Sequence, residues 1–221
     1  CGTDKAMSLG DYPLRKVPLV PGHEVCGVVD SVGEGVDEGW LGKRVTTEIN
    51  VSCGECWYCK RGMRTHCPRR EAIGITLDGG MAECVIAPAQ NLWPVDGLTD
   101  VQATFVEPLA AVVEMVRMAP PEGERFLVLG AGTVGLLAAQ LLSALGEVVV
   151  SAREGSPKAR VVEGLGLRFV PVDQLPELIG ETPEGQGFDY VVEATGSPRG
   201  LEMALRSVRP RGTVAAKSTH G

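Results

Sequence analysis

Four of the seven cysteines lie close together, between residues 53 and 67. They are Cys53, Cys56, Cys59 and Cys67. Four thiolates in one loop can close a tetrahedral zinc site with Zn–S bonds of about 2.3 Å. A site of this kind has no open coordination position, so we expect a structural zinc. It would stabilise a lobe, at about residues 50–70, that has too few apolar side chains to fold alone.

Two other interpretations of this loop stay open. The C-x-x-C-x-x-C start and Cys67-Pro68 are similar to an iron–sulfur run, but residues 60–66 intervene here and bacterial ferredoxins have a gap of only about three residues. Four unrelated free cysteines are disfavoured at this spacing. The basic residues that flank the loop indicate either an anion site or, as we favour, a solvated surface. They are Lys60, Arg61, Arg64, Arg69 and Arg70.

Four further side chains of zinc-binding type lie outside this loop, at Cys1, His23, Glu24 and Glu107. Three or four protein ligands and a water form the open coordination of a catalytic zinc. Each residue alone is a weak signal, because a single histidine after Pro-Gly is more often an ordinary surface or core residue.

A glycine-rich loop indicates a dinucleotide cofactor. Gly130, Gly132 and Gly135 fit G-x-G-x-x-G, with Thr133 and Val134 between the last two glycines. The motif directly follows an apolar run and opens a helix pattern, so its glycines allow a tight turn and let the backbone approach a pyrophosphate. We therefore expect these five residues to bind the cofactor.

The type of dinucleotide is suggested by the end of the next strand. An NAD site usually has an Asp or Glu there to hold the ribose, but this chain has Ser151-Ala152-Arg153. Ser151 and Arg153, with Lys158 nearby, could contact a 2′-phosphate, which favours NADP over NAD. The alternative is that Glu154 or a water performs the NAD role.

Thr195-Gly196 follows a later apolar strand and is expected at the same carboxyl edge of the sheet, beside the cofactor. An ordinary turn glycine is an equally weighted alternative.

The elements that must position these residues change in kind near residue 100. Before it, short β segments alternate with Gly and Pro turns, at 25–29, 42–47 and 82–86. After it, a helix pattern at 109–118 is followed by alternating strands and helices. The predicted strands are 125–129, 147–151, 168–171, 188–193 and 213–216, and the helices are 133–145, 157–165 and 198–208. This βαβ order predicts a parallel sheet with helices on its faces.

Composition limits the class of protein. The chain has 221 residues, 44% hydrophobic content and a net charge of -7. These values predict a soluble chain of two domains and argue against a nucleic-acid partner. No apolar run approaches the roughly 20 residues of a membrane span. Clustered cysteines of odd total number indicate a reducing compartment, and we expect the cytoplasm.

Five motifs together resemble one family. Cys-Gly-Thr-Asp at 1–4, Gly-His-Glu at 22–24, the four-cysteine lobe, Val-Glu-Pro-Leu at 106–109 and the glycine loop occur in the order of the zinc-dependent medium-chain dehydrogenases. That family includes alcohol, sorbitol, threonine and glucose dehydrogenases. The resemblance implies an irregular GroES-like catalytic domain at 1–107 and a Rossmann domain at 108–221. It also implies further sequence at both ends and a homodimer or homotetramer.

The resemblance further implies roles for the residues of the second cluster. Cys1 and His23 would bind a catalytic zinc, the second ion of the chain, with Glu24 and Glu107 as ligands or exchangeable near-ligands. The run Cys1-Gly2-Thr3-Asp4-Lys5 would be a catalytic loop. In it, Thr3 would supply the hydroxyl of a proton relay, and the Asp4 carboxylate would orient the zinc-bound histidine. The implied reaction is hydride transfer from an alcohol to NAD(P).

Some positions depart from the family pattern or leave it open. Ala6 stands where many members end the relay in a histidine, so Lys5 or solvent would accept the proton. Glu107, in place of a cysteine, favours the sugar and polyol branch. Asn50 would lie near the substrate pocket and bond a hydroxyl, or simply end a strand.

The substrate is therefore left open among sugars or polyols, secondary alcohols and amino-alcohols such as threonine. We assign no role to His220. A non-catalytic zinc protein is the rival interpretation, and a zinc-free reductase is disfavoured by both sets of cysteines.

Overall fold

The computed structural model of the protein describes residues 1–218, and His220 lies outside the described residues. The chain divides into two units, Cys1–Glu107 and Pro108–Gly221. Among the described residues, no helix combines the length and apolar character that crossing a membrane would require.

The first unit consists of short strands and two short helices, joined by long irregular segments. Its elements are α1 (Gly2–Leu9), β1 (Cys26–Val28), β2 (Arg44–Thr47), β3 (Asn50–Val51), β4 (Glu71–Ala72), β5 (Leu92–Pro94) and α2 (Asp100–Thr104). Strands β1, β2 and β5 form one antiparallel sheet, and β3 pairs with β4. The prediction of a compact, irregular β domain agrees with this arrangement.

Two local predictions in this unit are wrong. Residues 82–86 form no strand, because the backbone just before them bonds back to the Pro21–Gly22 turn and Ile86 is 94% exposed with no sheet to cover it. The start of the chain is a helix and not a loop. Cys1 caps α1 through its Sγ, which accepts from the Thr3 N–H, and Asp4 completes the capping box.

The second unit alternates strands and helices. Its elements are α3 (Val106–Met118, which begins at the unit boundary), β6 (Arg125–Leu129), α4 (Thr133–Ser143), β7 (Glu147–Ala152), α5 (Ala159–Gly164), β8 (Arg168–Pro171), α6 (Leu175–Glu181), β9 (Phe188–Glu193), α7 (Pro198–Ser207) and β10 (Val208–Ala216). The strands form a parallel sheet in the order β10-β9-β6-β7-β8.

Both faces of this sheet are covered by helices, because its strands are apolar on both sides. Phe126 and Val128 of β6 pack with α3, α4 and α5, whereas Leu127 and Leu129 of the same strand pack with α6 and α7. The alternation follows from the two-residue period of a strand. The predicted doubly wound sheet is confirmed, and α6 is an additional α-helix that the sequence pattern did not predict.

Candidate functional site

The four clustered cysteines converge in space. The Sγ–Sγ distances are 3.4 Å for Cys56–Cys59, 3.5 Å for Cys53–Cys67, and 3.9 Å for both Cys53–Cys59 and Cys56–Cys67. A tetrahedron with bonds of about 2.3 Å has edges of about 3.8 Å, whereas a disulfide bond would be about 2.05 Å. All four cysteines are free, and their sulfur atoms fit a tetrahedral zinc ion.

The cysteines of this loop differ in acidity. The backbone N–H of Glu55, followed by the N–H of Cys56 and the neighbouring thiols, lowers the pKa of Cys53 to about 6. The Cys59 N–H acts in the same direction on Cys56, but burial and the nearby thiols outweigh it and raise the pKa of Cys56 to about 11. The surroundings thus favour the thiolate of Cys53 and oppose that of Cys56, and a bound dication would favour the thiolate form of both.

The arginines around this loop have partners within unit 1. Arg61 stacks on the Trp57 ring at 4.0 Å. Arg64 donates to Ser52 and Asn91, Arg69 pairs with Glu55 at 2.7 Å and donates to Cys53 Sγ at 3.3 Å, and Arg70 donates to Asn50 at 3.0 Å. These contacts argue against an anion site, and they engage the arginines with the lobe itself in addition to solvent.

Both polar atoms of the Asn50 side-chain amide form hydrogen bonds. Its Oδ1 accepts from Arg70, and its Nδ2 donates to the Glu48 carboxylate. Asn91, which the sequence reasoning missed, is fully buried and donates to the carbonyls of Glu48 and Asn50. The Asn50 side chain thus connects the start of the lobe to Arg70, which supports its structural interpretation.

The second predicted metal cluster forms two overlapping groups around His23. Ligand atoms of Cys1, Asp4 and His23 all lie within 4.8 Å of one another, and so do those of His23, Glu24 and Glu107. A thiol, an imidazole and carboxylates are suitable zinc ligands. Cys1 is the N-cap of helix α1, and Asp4 lies in its first turn. The turn after Gly22 provides His23 and Glu24, and the first turn of α3 provides Glu107.

Asp4 lies behind the histidine. Its Oδ1 lies 3.4 Å from His23 Nδ1 and accepts a hydrogen bond from the Gly22 N–H at 3.0 Å. Asp4 is 9% exposed and His23 is 4% exposed. His23 Nδ1 is buried and has no partner at hydrogen-bond geometry in residues 1–218. If Nδ1 carries the proton toward this carboxylate, Nε2 keeps its lone pair for a metal.

The backbone of the histidine turn requires glycine. Gly22 has a φ of 102°, and a Cβ there would lie 2.8 Å from the backbone nitrogen of Met81. This close packing against the Gly80-Met81 turn fixes the position from which His23 projects.

Thr3 and its neighbours lie on α1. Thr3 is half-buried, and its N–H donates to Cys1 Sγ at 3.3 Å. Lys5 is exposed, and Ala6 is half-buried. The backbone nitrogen of Cys1 lies 3.0 Å from Asp4 Oδ2 and 3.6 Å from Glu24 Oε2, so the two carboxylates flank the same end of the helix.

In the second unit, the glycine loop joins β6 to α4. Gly130 has a φ of 103°, and its N–H donates to the Ser151 carbonyl at 2.8 Å. A Cβ at Gly135 would lie 1.9 Å from the Gly130 carbonyl oxygen, so only glycine lets the helix approach the turn. Thr133 and Val134 are the first two residues of α4. Gly132 faces open space, which a pyrophosphate can occupy.

A cation lies beside that open space. Nζ of Lys158 would be 4.0 Å from a Cβ at Gly132. Lys158 and Arg153 are both exposed in the segment after β7, whereas Ser151 is 1% exposed and its Oγ has no hydrogen-bond partner within the described chain. The structure thus brings Lys158 to the glycine loop and keeps Ser151 inside the sheet.

Thr195 lies at the carboxyl edge of the sheet, next to the glycine loop, and a Cβ at Gly130 would lie 3.1 Å from its backbone nitrogen. The sequence reasoning missed the residue that holds it. Thr195 donates from both its N–H and its hydroxyl to the buried carboxyl of Glu193. A charged residue directly after the apolar pair Val191-Val192 at the end of the strand was the available signal.

Comparison with known proteins covers both units. The family model for the alcohol dehydrogenase GroES-like domain matches residues 1–97, and that for the glucose dehydrogenase C-terminus matches residues 101–217. The chain is 36% identical to D-arabinitol dehydrogenase 1 of Uromyces fabae, over 97% of this chain and 63% of that protein. It is 34% identical to L-threonine 3-dehydrogenase of Pyrococcus furiosus, over 97% of this chain and 64% of that protein.

A similar solved structure comes from Sinorhizobium meliloti 1021, described as a zinc-binding dehydrogenase and bound to NADP. It has a TM-score of 0.89 and 32% identity, over 100% of this chain and 66% of that chain. The present chain therefore spans a little under two thirds of its curated relatives, 63% of the first and 64% of the second. With both family models matched in order, the chain belongs to the zinc-dependent medium-chain dehydrogenase family.

Proposed function

We propose that the protein is a zinc-dependent, NAD(P)-linked dehydrogenase that oxidises an alcohol group of a polar small molecule to a carbonyl. The observation that carries this proposal is that the buried His23, which faces Asp4, belongs to two groups of possible zinc ligands, one with Cys1 and Asp4 and one with Glu24 and Glu107. An inert zinc protein would have no need for a second ligand cluster in addition to a closed four-cysteine site.

The two units would have different roles. We assign residues 1–107 to the two zinc sites and residues 108–221 to the dinucleotide. Cys53, Cys56, Cys59 and Cys67 would hold the structural ion, which supplies stability and no chemistry. Cys1 and His23 would hold the catalytic ion, with Glu24 and Glu107 as further or exchangeable ligands. A zinc ion in such an open site lowers the pKa of a bound hydroxyl.

The side chains around the catalytic site would orient and deprotonate the alcohol. Asp4 would hold the proton on His23 Nδ1, which keeps Nε2 available as a ligand. Thr3 would pass the hydroxyl proton outward to solvent or Lys5, because Ala6 has no group that can accept it. Hydride would leave the adjacent carbon for the nicotinamide.

NADP is the favoured cofactor. Gly130, Gly132, Thr133, Val134 and Gly135 would receive the pyrophosphate. Arg153 and Lys158, both exposed in the segment after β7, would contact the 2′-phosphate. The buried position of Ser151 makes it a weaker candidate for a direct contact. The NADP in the Sinorhizobium relative is consistent with this preference.

A sugar or polyol is the favoured substrate class, because Glu107 replaces a cysteine ligand and because a polyol dehydrogenase is among the similar proteins. Secondary alcohols and threonine are the competing substrates. The test is a panel of sugars, polyols, simple alcohols and threonine assayed with NADP and with NAD on zinc-loaded protein. Reduction of NADP by a polyol supports the proposal, and absence of turnover with every substrate and both cofactors contradicts it.

A further inference from the structure

Glu193 is a buried carboxyl at the carboxyl edge of the parallel sheet. It is the last residue of β9 and has 0% of its surface exposed. Its Oε1 accepts from the Thr195 N–H at 2.8 Å and from the Thr195 hydroxyl at 2.6 Å, and its Oε2 accepts from the Ser218 hydroxyl. One side chain therefore joins the segments that follow β9 and β10.

The backbone of Glu193 strengthens the same connection. Its carbonyl accepts from the N–H groups of Lys217 and Ser218, at 2.8 and 3.2 Å. Thr195 also accepts from the Ser197 N–H at 3.1 Å, so its hydroxyl has both a donor and an acceptor within the protein. The Thr195 hydroxyl and N–H are thus used to shape the turn and are already engaged before any cofactor binds.

This turn packs directly on the glycine loop. The Ala194 N–H donates to the Leu129 carbonyl at 2.9 Å, and a Cβ at Gly130 would lie 2.5 Å from the Ala194 carbonyl oxygen. From the other side, a Cβ at Gly200 of α7 would lie 2.0 Å from Thr195 Oγ1 and 2.6 Å from Glu193 Oε1. The position of the turn therefore helps to define the space beside the first glycine.

We infer that Glu193 is a positioning residue for the dinucleotide site, acting through Thr195. The inference rests on the proposed function, because it needs that site to bind a nicotinamide dinucleotide. A fully buried carboxyl is costly unless its hydrogen bonds are made, so an apolar residue would serve a merely structural strand end better. Ligands of such sheets bind outside the carboxyl ends of the strands, which is where this network lies.

Two substitutions at Glu193 distinguish the effect of its hydrogen bonds from the effect of its side-chain volume. Glu193→Ala leaves the Thr195 N–H and hydroxyl without their acceptor, and we expect the Kd for NADPH to rise at least about tenfold. Glu193→Gln keeps one oxygen that can accept both bonds, so its Kd should stay within about threefold of the unmodified protein. Thr195→Val should weaken NADPH binding, whereas Thr195→Ser, which keeps the hydroxyl, should not. This second pair of variants repeats the test and leaves the carboxyl of Glu193 unchanged.

Asp189 provides the matched control for lost stability. It is a carboxylate, 10% exposed on its side chain, near the other end of the same strand. It accepts hydrogen bonds from the Glu124 and Arg125 N–H groups and from Arg209. Asp189→Asn should lower the melting temperature as Glu193→Ala does but leave the Kd for NADPH within about twofold, because it lies away from the cofactor edge.

The experiment measures the NADPH Kd by fluorescence titration, and amide hydrogen exchange of the cofactor-free protein at residues 194–197. Faster exchange and a raised Kd in Glu193→Ala, with Asp189→Asn unchanged in both, support the inference. An unchanged Kd in Glu193→Ala, or an equal rise in Asp189→Asn, overturns it and leaves the proposed function intact. Failure of the unmodified protein to bind NADPH or NADH overturns both.

Discussion

Oδ1 of Asp4 lies 3.4 Å from Nδ1 of His23, and both side chains are almost completely buried. Helix α1 presents the carboxylate, and the turn after Gly22 presents the imidazole, so the pair connects two separate segments of the first unit. A buried histidine beside a carboxylate has a defined tautomer and ring direction. This pair is the basis of our first prediction.

Replacing Asp4 should loosen the catalytic zinc and spare the structural one. In Asp4→Asn the amide can still cap α1, but the carboxylate charge beside His23 is lost, so we expect zinc affinity at that site to fall about 10–100-fold. Competition with a chromogenic chelator measures it. Exposed Asp11 is the control, and Asp11→Asn should leave the affinity unchanged. Equal affinities in both variants would refute the role of Asp4.

Cys56→Ala should mainly destabilise the lobe. Removal of one of four thiolates opens the closed site, and a structural zinc contributes directly to folding, so the melting temperature should fall by several degrees with zinc content reduced. Cys84→Ala, at an exposed cysteine outside the cluster, should change neither quantity. A Cys56→Ala protein that keeps its melting temperature but loses turnover would contradict a structural role.

Lys158→Ala should weaken NADP more than NAD. Lys158 lies in the segment after β7, where the ribose end of the cofactor would bind, so its loss would remove a 2′-phosphate contact worth about 1–3 kcal/mol, or roughly 5- to 150-fold in the KM for NADP. Steady-state kinetics with each cofactor measure the ratio. Arg160, exposed on α5, supplies the control variant Arg160→Ala. An equal increase in the KM for NADP and the KM for NAD would indicate that Lys158 does not contact the 2′-phosphate.

Asp189 should make the second unit sensitive to acid. Burial opposes ionisation of Asp189, but Arg209 and the N–H groups of Arg125 and Glu124 outweigh it and hold its pKa below the usual value. A lowered folded-state pKa means that the stabilisation is present above the unfolded pKa of about 3.9 and is lost as pH falls through the folded pKa.

The corresponding measurement is the free energy of unfolding against pH. Asp189→Asn should lose about 1–3 kcal/mol at neutral pH and show a flatter decline below about pH 4. Asp173→Asn, at an exposed position, is the control. An acid limb of the same steepness in Asp189→Asn and the unmodified protein would show that Asp189 is not its source.

Local patterns predicted much of this architecture. The spacing of the four cysteines, the glycine loop and the alternation after residue 125 depend on residues close in sequence, and the structure has the corresponding elements. The failures have nonlocal causes. Residues 82–86 have an apolar alternation but no strand partner. Cys1-Gly2-Thr3-Asp4 was predicted to be a loop because these residues were interpreted as catalytic groups, whereas Cys1 and Asp4 also form the capping box of a helix.

Sequence patterns also failed to identify two buried polar residues that hold the candidate sites in place. Asn91 and Glu193 are both fully buried, and their partners lie up to 43 and 25 residues away along the chain. Rules based on sequence spacing relate residues that are close along the chain, so they cannot assign such distant partners. The strand-end position of Glu193 was visible in the sequence, but its link to Ser218 required the sheet order.

The zinc content of the purified protein distinguishes a chain with two zinc sites from one with the structural site alone. With excess zinc removed by gel filtration, elemental analysis should give two zinc ions per chain in the unmodified protein and one in His23→Ala, which loses the shared member of both ligand groups. One ion per chain in the unmodified protein, unchanged in His23→Ala, would contradict the catalytic zinc site and with it the proposed dehydrogenase mechanism.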